Sequence, residues 1–337
     1  MSKQYHVSSC GKLYIAGEYA ILKPAQVAII KNIPINMFAD ISFSDAYLLS
    51  SDLFSYQVSL EVEDEAYHFL QTAIHIMNDY LRELSITPRP FRLRINSHMG
   101  EDGKKFGIGS SGSLLVLVIK AFSSLYKLSL TSDTIFKLAS YILLKVGDNG
   151  SMGDIACISY DTCVFYQSFD RNKIRQKIET DTMLSVLNDD WGYIIRPVKN
   201  QLNTTFLVGW TQKPAISSKL VSNVEDLIDQ AFLSESFENV LNLLCAIEEG
   251  NKLSFLQAIT KLANLIENLH PDIYNKELLQ LCNDCIGLEA IGKSSGAGGG
   301  DCGIAFCFSK EAEQELIKRW DYHNIKLIYK ENLHDKS

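Results

Sequence analysis

The segment Lys105-Phe-Gly-Ile-Gly-Ser-Ser-Gly-Ser113 sets three glycines beside three serines and runs directly into the apolar stretch 114–119. Glycine lets the backbone approach an anion closely, and a helix N-terminus offers free N–H groups and a partial positive charge. Serine hydroxyls can bind phosphate oxygens or Mg²⁺. A capped helix behind a flexible loop is the plainer alternative, but a cap needs only one serine. We predict an anion-binding loop over 96–113 and a helix from Leu114 that is buried on all sides.

The composition of the 337-residue chain, 46% hydrophobic and 21% charged, is that of a soluble globular enzyme. At about 150 residues per domain, the length favours two domains. The 32 basic and 40 acidic residues give a net charge of −8, which argues against a nucleic-acid-binding surface. Residues 1–6 lack the apolar core of a secretory signal, and the run 114–119 is too short to span a bilayer. We expect a cytoplasmic protein without nucleic-acid or membrane partners, and the sequence leaves the oligomeric state open.

The eight cysteines do not form a pattern that favours disulfides or zinc. In a large chain without a secretory signal, an even count does not imply disulfides. Cys282 and Cys285 belong to an apolar stripe of helical spacing, and Cys302 and Cys307 point to opposite faces of a probable strand. We therefore expect reduced, buried thiols.

Hydrophobic periodicity predicts an α+β protein, because strands precede helices within each half and βαβα alternation is missing. A boundary near Gln201 divides the chain into domains 1–200 and 201–337. In the first half we predict strands over 33–43, 56–62 and 91–95 and a helix over 66–84. In the second half we predict strands over 206–210, 303–308 and 325–329, and helices over 223–232, 237–249, 253–269 and 273–291 and from Lys310.

Three familiar motifs occur without the neighbouring strands and helices that their functions require. Residues 287–294 match the Walker A pattern, but helical spacing precedes them and more glycines follow, whereas a P-loop follows a strand and opens a helix. Gly107, Gly109 and Gly112 match a dinucleotide fingerprint without the required upstream strand. Residues 292–296 imitate a nucleophile elbow without its strand and helix. We assign none of these three functions.

Three further segments combine glycine with charged residues. The loop 147–154 contains Asp148 and Asp154, although Asp, Asn and Gly also form ordinary surface turns. The segment 293–301 concentrates glycine, which is tolerated where backbone packs against a ligand or another loop. The segment 10–22 places Lys12 and Glu18 in an apolar, β-like stretch, where a single lysine is more often a solvated edge residue.

These segments, in this order, resemble the motifs of the GHMP kinase superfamily. Residues 11–22, 106–113 and 294–303 resemble its first, second and third motifs, from about residue 10 to the C-terminal region. With Lys104-Lys105 before the second motif and 147–154 after it, the similarity is strongest to bacterial members that phosphorylate 5-phosphomevalonate. The second motif departs by reading Ser-Ser-Gly-Ser, and the acidic loop by reading Ser-Met-Gly-Asp.

The resemblance implies a two-domain GHMP kinase fold, with an N-terminal domain like domain 2 of ribosomal protein S5 and a ferredoxin-like C-terminal domain. It implies ATP and Mg²⁺ as cofactors and 5-phosphomevalonate as the small-molecule substrate, bound between the domains. The implied catalytic residues are Lys12 and Asp154, with Ser111 as metal ligand. The implied ATP-binding residues are Gly107, Gly109, Ser110, Ser111, Gly112 and Ser113, and the implied substrate-binding residues are Lys12, Tyr19, Lys104, Ser151, Ala297 and Gly298.

A phosphate acceptor changes what the enzyme has to supply. The second pKa of a phosphate monoester is near about 6, so the attacking oxygen is already largely anionic at neutral pH. Catalysis can then rest on in-line positioning and charge neutralisation more than on a general base. We expect Asp154 to orient Lys12 and the metal. Mevalonate kinase, with a neutral acceptor hydroxyl, and a catalytically silent nucleotide sensor remain the alternatives.

Overall fold

The computed structural model describes residues 3–215, 220 and 224–333. The first half of the chain forms a seven-stranded sheet around the long second strand. In chain order, the strands of this half are β1 Tyr5–Ala16, β2 Val27–Phe43, β3 Leu48–Ser51, β4 Gln57–Val58, β5 Phe91–Ser97, β6 Gly100–Glu101, β7 Lys104–Lys105, β8 Val164–Gln167 and β9 Ile194–Pro197. Strands β6 and β7 form a separate hairpin, and the other seven make up the sheet. The order is β4-β3-β5-β2-β8-β9, β1 pairs with β2, and only the β3–β5 pair is parallel.

Helices of the first half cover this sheet. They are α1 His68–Glu83, α2 Ser110–Tyr126, α3 Ser132–Lys145, α4 Gly153–Tyr160, α5 Arg171–Thr180 and α6 Met183–Asn188. As its apolar sequence predicts, α2 is buried over most of its length and packs against both β1 and β2. The N-terminus of α2 is therefore fixed next to the strand that carries Lys12.

The second half forms a four-stranded antiparallel sheet of order β11-β12-β10-β13. Its strands are β10 Thr205–Trp210, β11 Ala290–Ser294, β12 Cys302–Cys307 and β13 Lys326–Asn332, and its helices are α7 Gln230–Glu249, α8 Lys252–Leu269, α9 Lys276–Asn283 and α10 Lys310–Tyr322. The α+β class is confirmed. The predicted boundary near Gln201 lies between β9 and β10, and the division into domains there stays a prediction.

Two sequence-based elements are wrong. The strand over 56–62 shrinks to the two residues of β4, because the Gln71 side chain, and not a neighbouring strand, donates to the carbonyls of Ser59 and Val62 at 2.9 and 2.8 Å. The helix over 273–291 covers only α9, and 290–294 instead pair with β12. Here pairing with the next strand of the chain overrides the helical pattern at residues 290 and 291.

Smaller differences concern helix starts and thiols. Helix α2 begins at Ser110, four residues before the predicted start, and β6 and β7 lie within the predicted loop. In the predicted helix 223–232, residue 223 lies outside the described residues, 225–227 form a 3-10 turn, and α7 begins at Gln230. All eight cysteines are unpaired, and five are buried as expected, whereas Cys163 and Cys282 are half-buried and Cys245 is exposed.

Among the described helices, we find none that is both long enough and apolar enough to cross a membrane.

Candidate active site

The start of α2 forms an open anion-binding site. Gly109 is the N-cap residue, with a left-handed φ of 85°, and no described side chain caps this end of the helix. Ser111 is exposed and Ser110 half-buried, so both hydroxyls are available to a ligand. Ser113 differs: it is fully buried and its hydroxyl donates to the Ser9 carbonyl at 3.2 Å, so its side chain is structural.

Lys12 and Asp154 meet at this helix start. The Lys12 backbone N–H donates to the Ile108 carbonyl at 2.8 Å, which joins β1 to the glycine loop. A Cβ on Gly109 would lie 2.8 Å from Lys12 Cε, and a Cβ on Gly112 would lie 3.0 Å from Asp154 Oδ2. The glycines therefore let an amine and a carboxylate from two other elements approach the phosphate loop.

A cavity of about 200 Å³, here called the Lys12 cavity, opens beside these two residues. It brings together five predicted site residues, Lys12, Tyr19, Ser151, Asp154 and Ala297. The other lining residues are Tyr14, Glu18, Ile21, Leu22, Gly150 and Gly296. One charged amine and two carboxylates thus face a space of substrate size.

The predicted substrate residue Ser151 is held rigidly in the wall of the Lys12 cavity. Its hydroxyl lies 2.9 Å from the Tyr14 hydroxyl and accepts from the Gly153 N–H at 3.2 Å. Its carbonyl accepts from the Tyr166 hydroxyl at 2.9 Å. Burial raises the pKa of both tyrosines, so the phenols stay protonated and can donate. The position of Ser151 is therefore fixed before substrate arrives.

Two arginines anchor the acidic loop 147–154 from α5. Arg171 Nη1 donates to the Asn149 carbonyl at 2.7 Å, and Arg175 Nη2 donates to the Asp148 carbonyl at 2.5 Å. The Asp148 carboxylate accepts from the Gly150 N–H at 2.6 Å. Asp148 thus forms the turn, as the plainer alternative predicted, and leaves Asp154 as the carboxylate that faces the helix start.

The third motif closes the Lys12 cavity from the second sheet. The Tyr19 hydroxyl donates to the Ala297 carbonyl at 2.5 Å, and the Ser295 hydroxyl donates to the Tyr14 carbonyl at 2.8 Å. Gly298, a predicted substrate residue, does not line this cavity. It packs against the backbone at Ile273, where a Cβ on Gly298 would lie 2.3 Å from the carbonyl oxygen.

Lys104 lies elsewhere. It is exposed on β7 and lines a second cavity of about 250 Å³, here called the Lys104 cavity, together with Lys105, Ser110 and Ser111. The structure therefore does not bring Lys104 into the Lys12 cavity. Ser110 and Ser111 of the helix start line the Lys104 cavity, whereas Lys12 and Asp154, which lie close to Gly109 and Gly112, line the Lys12 cavity.

Sequence reasoning missed two residues of this site. Asp301 packs its carboxyl against Gly107, accepts from the Ala215 N–H at 3.2 Å, and has a pKa raised by burial. Glu18 is buried in the wall of the Lys12 cavity, where it forms an ion pair with Lys293. The available signals in the sequence were a carboxylate that ends a glycine run and another that lies inside an apolar, β-like stretch.

The donor set suits Mg²⁺. The Ser111 hydroxyl and the Asp154 carboxylate are hard oxygen ligands, and Asp154 lies directly against the helix start. Within the described parts of the chain, no three His, Cys, Asp or Glu residues cluster as a metal site. One carboxylate and one hydroxyl fit Mg²⁺, which is usually held by one or two carboxylates together with substrate phosphates.

Family models match both halves of the chain. The model for the GHMP kinases N terminal domain matches residues 68–162, and the model for the GHMP kinases C terminal domain matches 243–326. The chain therefore belongs to the GHMP kinase family, and it is an ATP-dependent kinase with the two-domain fold of that family.

The relatives at higher identity are phosphomevalonate kinases. Streptococcus pneumoniae phosphomevalonate kinase, in complex with phosphomevalonate and AMPPNP, is 47% identical, with a TM-score of 0.95 over 97% of this chain and 99% of that one. Phosphomevalonate kinase of Streptomyces sp. (strain CL190) is 30% identical over 92% of each chain. Within the GHMP kinases, the chain therefore groups with the phosphomevalonate kinases. The Methanococcus jannaschii mevalonate kinase structure, 20% identical with a TM-score of 0.73, shares the fold.

Proposed function

We propose that the protein transfers the γ-phosphoryl group of ATP to 5-phosphomevalonate, forming ADP and 5-diphosphomevalonate in the mevalonate pathway of isoprenoid biosynthesis. The observation that carries this proposal is the convergence of Lys12 and Asp154 on the uncapped start of α2, between two cavities. A nucleotide in one cavity and a small acceptor in the other would meet at that point. The Streptococcus relative is a complex with phosphomevalonate and AMPPNP, and this supports a nucleotide and 5-phosphomevalonate as the two ligands.

The nucleotide phosphates are assigned to the loop 107–113. The N–H groups of the first turn of α2, the hydroxyls of Ser110 and Ser111 and the helix dipole all favour an anion there. Ser113 contributes through its backbone, because its hydroxyl is bonded to Ser9. Ser111 and Asp154 would hold Mg²⁺, which neutralises phosphate charge when bound.

In the Lys12 cavity, Lys12 offsets the charge of the acceptor phosphate and of the transferred group. Asp154 orients Lys12, and the acceptor oxygen, already anionic, needs no obligatory base. Tyr14 fixes Ser151, whose hydroxyl is positioned to contact the acceptor. Positioning and charge neutralisation are the main contributions of this chain to the reaction.

Two observations on Lys104 point to different substrates. The family resemblance implies contact with the acceptor phosphate, whereas its cavity, shared with Ser110 and Ser111, favours contact with the nucleotide. A charge-assisted contact to phosphate is worth about 1.5–3 kcal/mol, or roughly tenfold to hundredfold in affinity. Lys104→Ala should raise one KM by that order, and Lys105→Ala should have a smaller effect if Lys104 is the direct ligand. The substrate whose KM rises identifies the contact.

A coupled ADP-release assay over mevalonate, 5-phosphomevalonate, homoserine and galactose tests the function. We expect turnover with 5-phosphomevalonate and poor turnover with the other three. Preferred use of mevalonate would replace the proposal by a mevalonate kinase, and ATP binding without turnover of any acceptor would favour a nucleotide sensor. The cytoplasmic location and the lack of nucleic-acid and membrane partners stay predictions.

A further inference from the structure

Arg171, the first residue of α5, joins two walls of the Lys12 cavity. Its Nη1 donates to the Gly150 carbonyl at 2.5 Å, and its Nη2 donates to the Leu22 carbonyl. Gly150 and Leu22 both line the cavity, one from the acidic loop 147–154 and the other from the segment 10–22. One guanidinium therefore holds together two segments that are distant in sequence and that face the same space.

Arg175, one helical turn further along α5, contacts the same loop but does not join the two walls. Its Nη2 donates to the Asp148 carbonyl at 2.5 Å and to Asn149 Oδ1 at 2.6 Å. Its Nη1 donates to Asn172 Oδ1 at 3.2 Å. None of these three acceptor residues lines the Lys12 cavity. The two arginines therefore share a helix and a loop, and they differ in the bond to the second wall.

The stability of α5 does not explain an arginine at this position. The partial positive charge at a helix N-terminus favours acidic residues and disfavours a cation. Asp170, the N-cap residue, already accepts from the N–H groups of Asn172 and Lys173 at 3.0 and 3.1 Å. Burial lowers the pKa of Arg171, so its charge is held there at a cost. The bonds to the two cavity walls are what offset that cost.

The backbone before Arg171 is fixed to the residues that follow Leu22. The Ser168 hydroxyl donates to the Lys23 carbonyl at 2.6 Å, and the Ala25 N–H donates to the Ser168 carbonyl at 3.0 Å. The guanidinium is planar and presents its donors in a rigid fork, so from this fixed base it can bind carbonyls on both walls at once. The ammonium of a lysine is a compact charge on a flexible stem and lacks that geometry.

We propose that Arg171 is a positioning residue for the acceptor, because it fixes the spacing of the two walls between which the acceptor is aligned. Ser151 directly follows Gly150, and Asp154 belongs to the same loop. A shift of that loop would move both side chains relative to the strand that carries Lys12. A misplacement of about 1 Å is enough to cost about 10²-fold in rate. The assignment rests on the proposed function, since it takes the Lys12 cavity to hold the acceptor.

The test compares two arginine variants of α5. Arg171→Met removes the bridge between the walls, and Arg175→Met, the matched control, removes the neighbouring guanidinium that binds only the loop and its own helix. We expect kcat/KM for 5-phosphomevalonate to fall about 10²-fold in Arg171→Met, with a raised acceptor KM, and to stay within about threefold in Arg175→Met. The KM for ATP should stay within about threefold in both variants, because neither arginine lines the Lys104 cavity.

Two further measurements separate positioning from stability and from charge. Partial unfolding lowers kcat through the fraction of active enzyme and leaves KM unchanged, so the acceptor KM, read beside the urea midpoint of each variant, reports positioning. Arg171→Lys keeps the charge but loses the planar fork, and it should therefore lose nearly as much kcat/KM as Arg171→Met. The lysine variant also provides the measurement if the methionine variant does not fold.

A wild-type acceptor KM in Arg171→Met, or equal losses in Arg171→Met and Arg175→Met, would overturn the proposal. Wild-type kinetics in Arg171→Lys would overturn it as well, because a positive charge alone would then be sufficient. The acceptor panel on wild type tests the proposed function separately. If another acceptor were preferred there, the same three variants assayed with that acceptor would still test the bridge between the walls.

Discussion

Replacing Gly107 with alanine should disrupt the phosphate loop far more than the same change at Gly103, four residues earlier. Both glycines hold left-handed backbones, with φ of 77° at Gly107 and 73° at Gly103. Their surroundings differ completely. A Cβ on Gly103 would meet nothing within 4 Å, whereas a Cβ on Gly107 would lie 2.3 Å from Asp301 Cγ and 2.4 Å from its Cβ.

The two substitutions therefore separate backbone strain from steric conflict. A left-handed conformation costs an L-residue about 1–2 kcal/mol, which is the whole expected effect at Gly103. Overpacking adds about 1–3 kcal/mol at Gly107, for a total of about 2–5 kcal/mol. Asp301 cannot move aside cheaply, because its carboxylate accepts from the Ala215 N–H and its backbone N–H donates to the Lys213 carbonyl at 2.7 Å.

Urea unfolding and steady-state kinetics measure both consequences. Gly107→Ala should lower the free energy of unfolding by the larger amount and raise the KM for ATP severalfold, whereas Gly103→Ala should leave that KM unchanged. Asp301→Gly, allowed by the φ of 50° at this position, removes the clashing atoms and should restore about 1–3 kcal/mol in the Gly107→Ala background. Equal destabilisation by the two alanines, or no restoration by Asp301→Gly, would refute the steric argument.

Three further predictions concern catalysis, nucleotide binding and acid stability. Asp154→Asn should lower kcat about 10²-fold or more, the usual scale for a positioned catalytic group, while ATP binding by calorimetry persists; near wild-type turnover would contradict its role. Measured by calorimetry, Ser111→Ala should weaken ATP binding more than Lys293→Ala does. The opposite ranking would indicate that residues 287–294 bind ATP as a P-loop. Two hydrogen bonds from Arg196 lower the pKa of Glu248, so the ion pair should stabilise the fold by up to about 1 kcal/mol at pH 7 and lose this contribution as pH falls through the lowered pKa. When the free energy of unfolding is measured by urea at a series of acidic pH values, Glu248→Gln should not show this loss. Identical pH dependence in wild type and variant would mean that the ion pair does not contribute to it.

The sequence determined the parts of this protein that depend on local chemistry. The apolar run after Ser113 could only form a buried helix, and glycines at 107, 109 and 112 permit a close approach that larger residues would block. The motif order, matched to the GHMP kinases, indicated the two-domain fold and the kinase activity, and both are confirmed. Local turn chemistry also offered an ordinary surface turn as the alternative for Asp148, and its carboxylate accepts from the Gly150 N–H two residues on.

Only the tertiary structure decided which distant groups meet. Residues 290 and 291 end the predicted helix 273–291, yet residues 290–294 form β11 because β12, the next strand of the chain, offers them a ladder of hydrogen bonds. Glu18 and Lys293 lie 275 residues apart, and no local signal pairs them. Their pairing follows from the packing of two sheets, which removes both charges from water and leaves each as the other's partner. Lys104 likewise sits beside Ser110 and Ser111 because the β6–β7 hairpin folds over the helix start, a placement that backbone propensity does not encode.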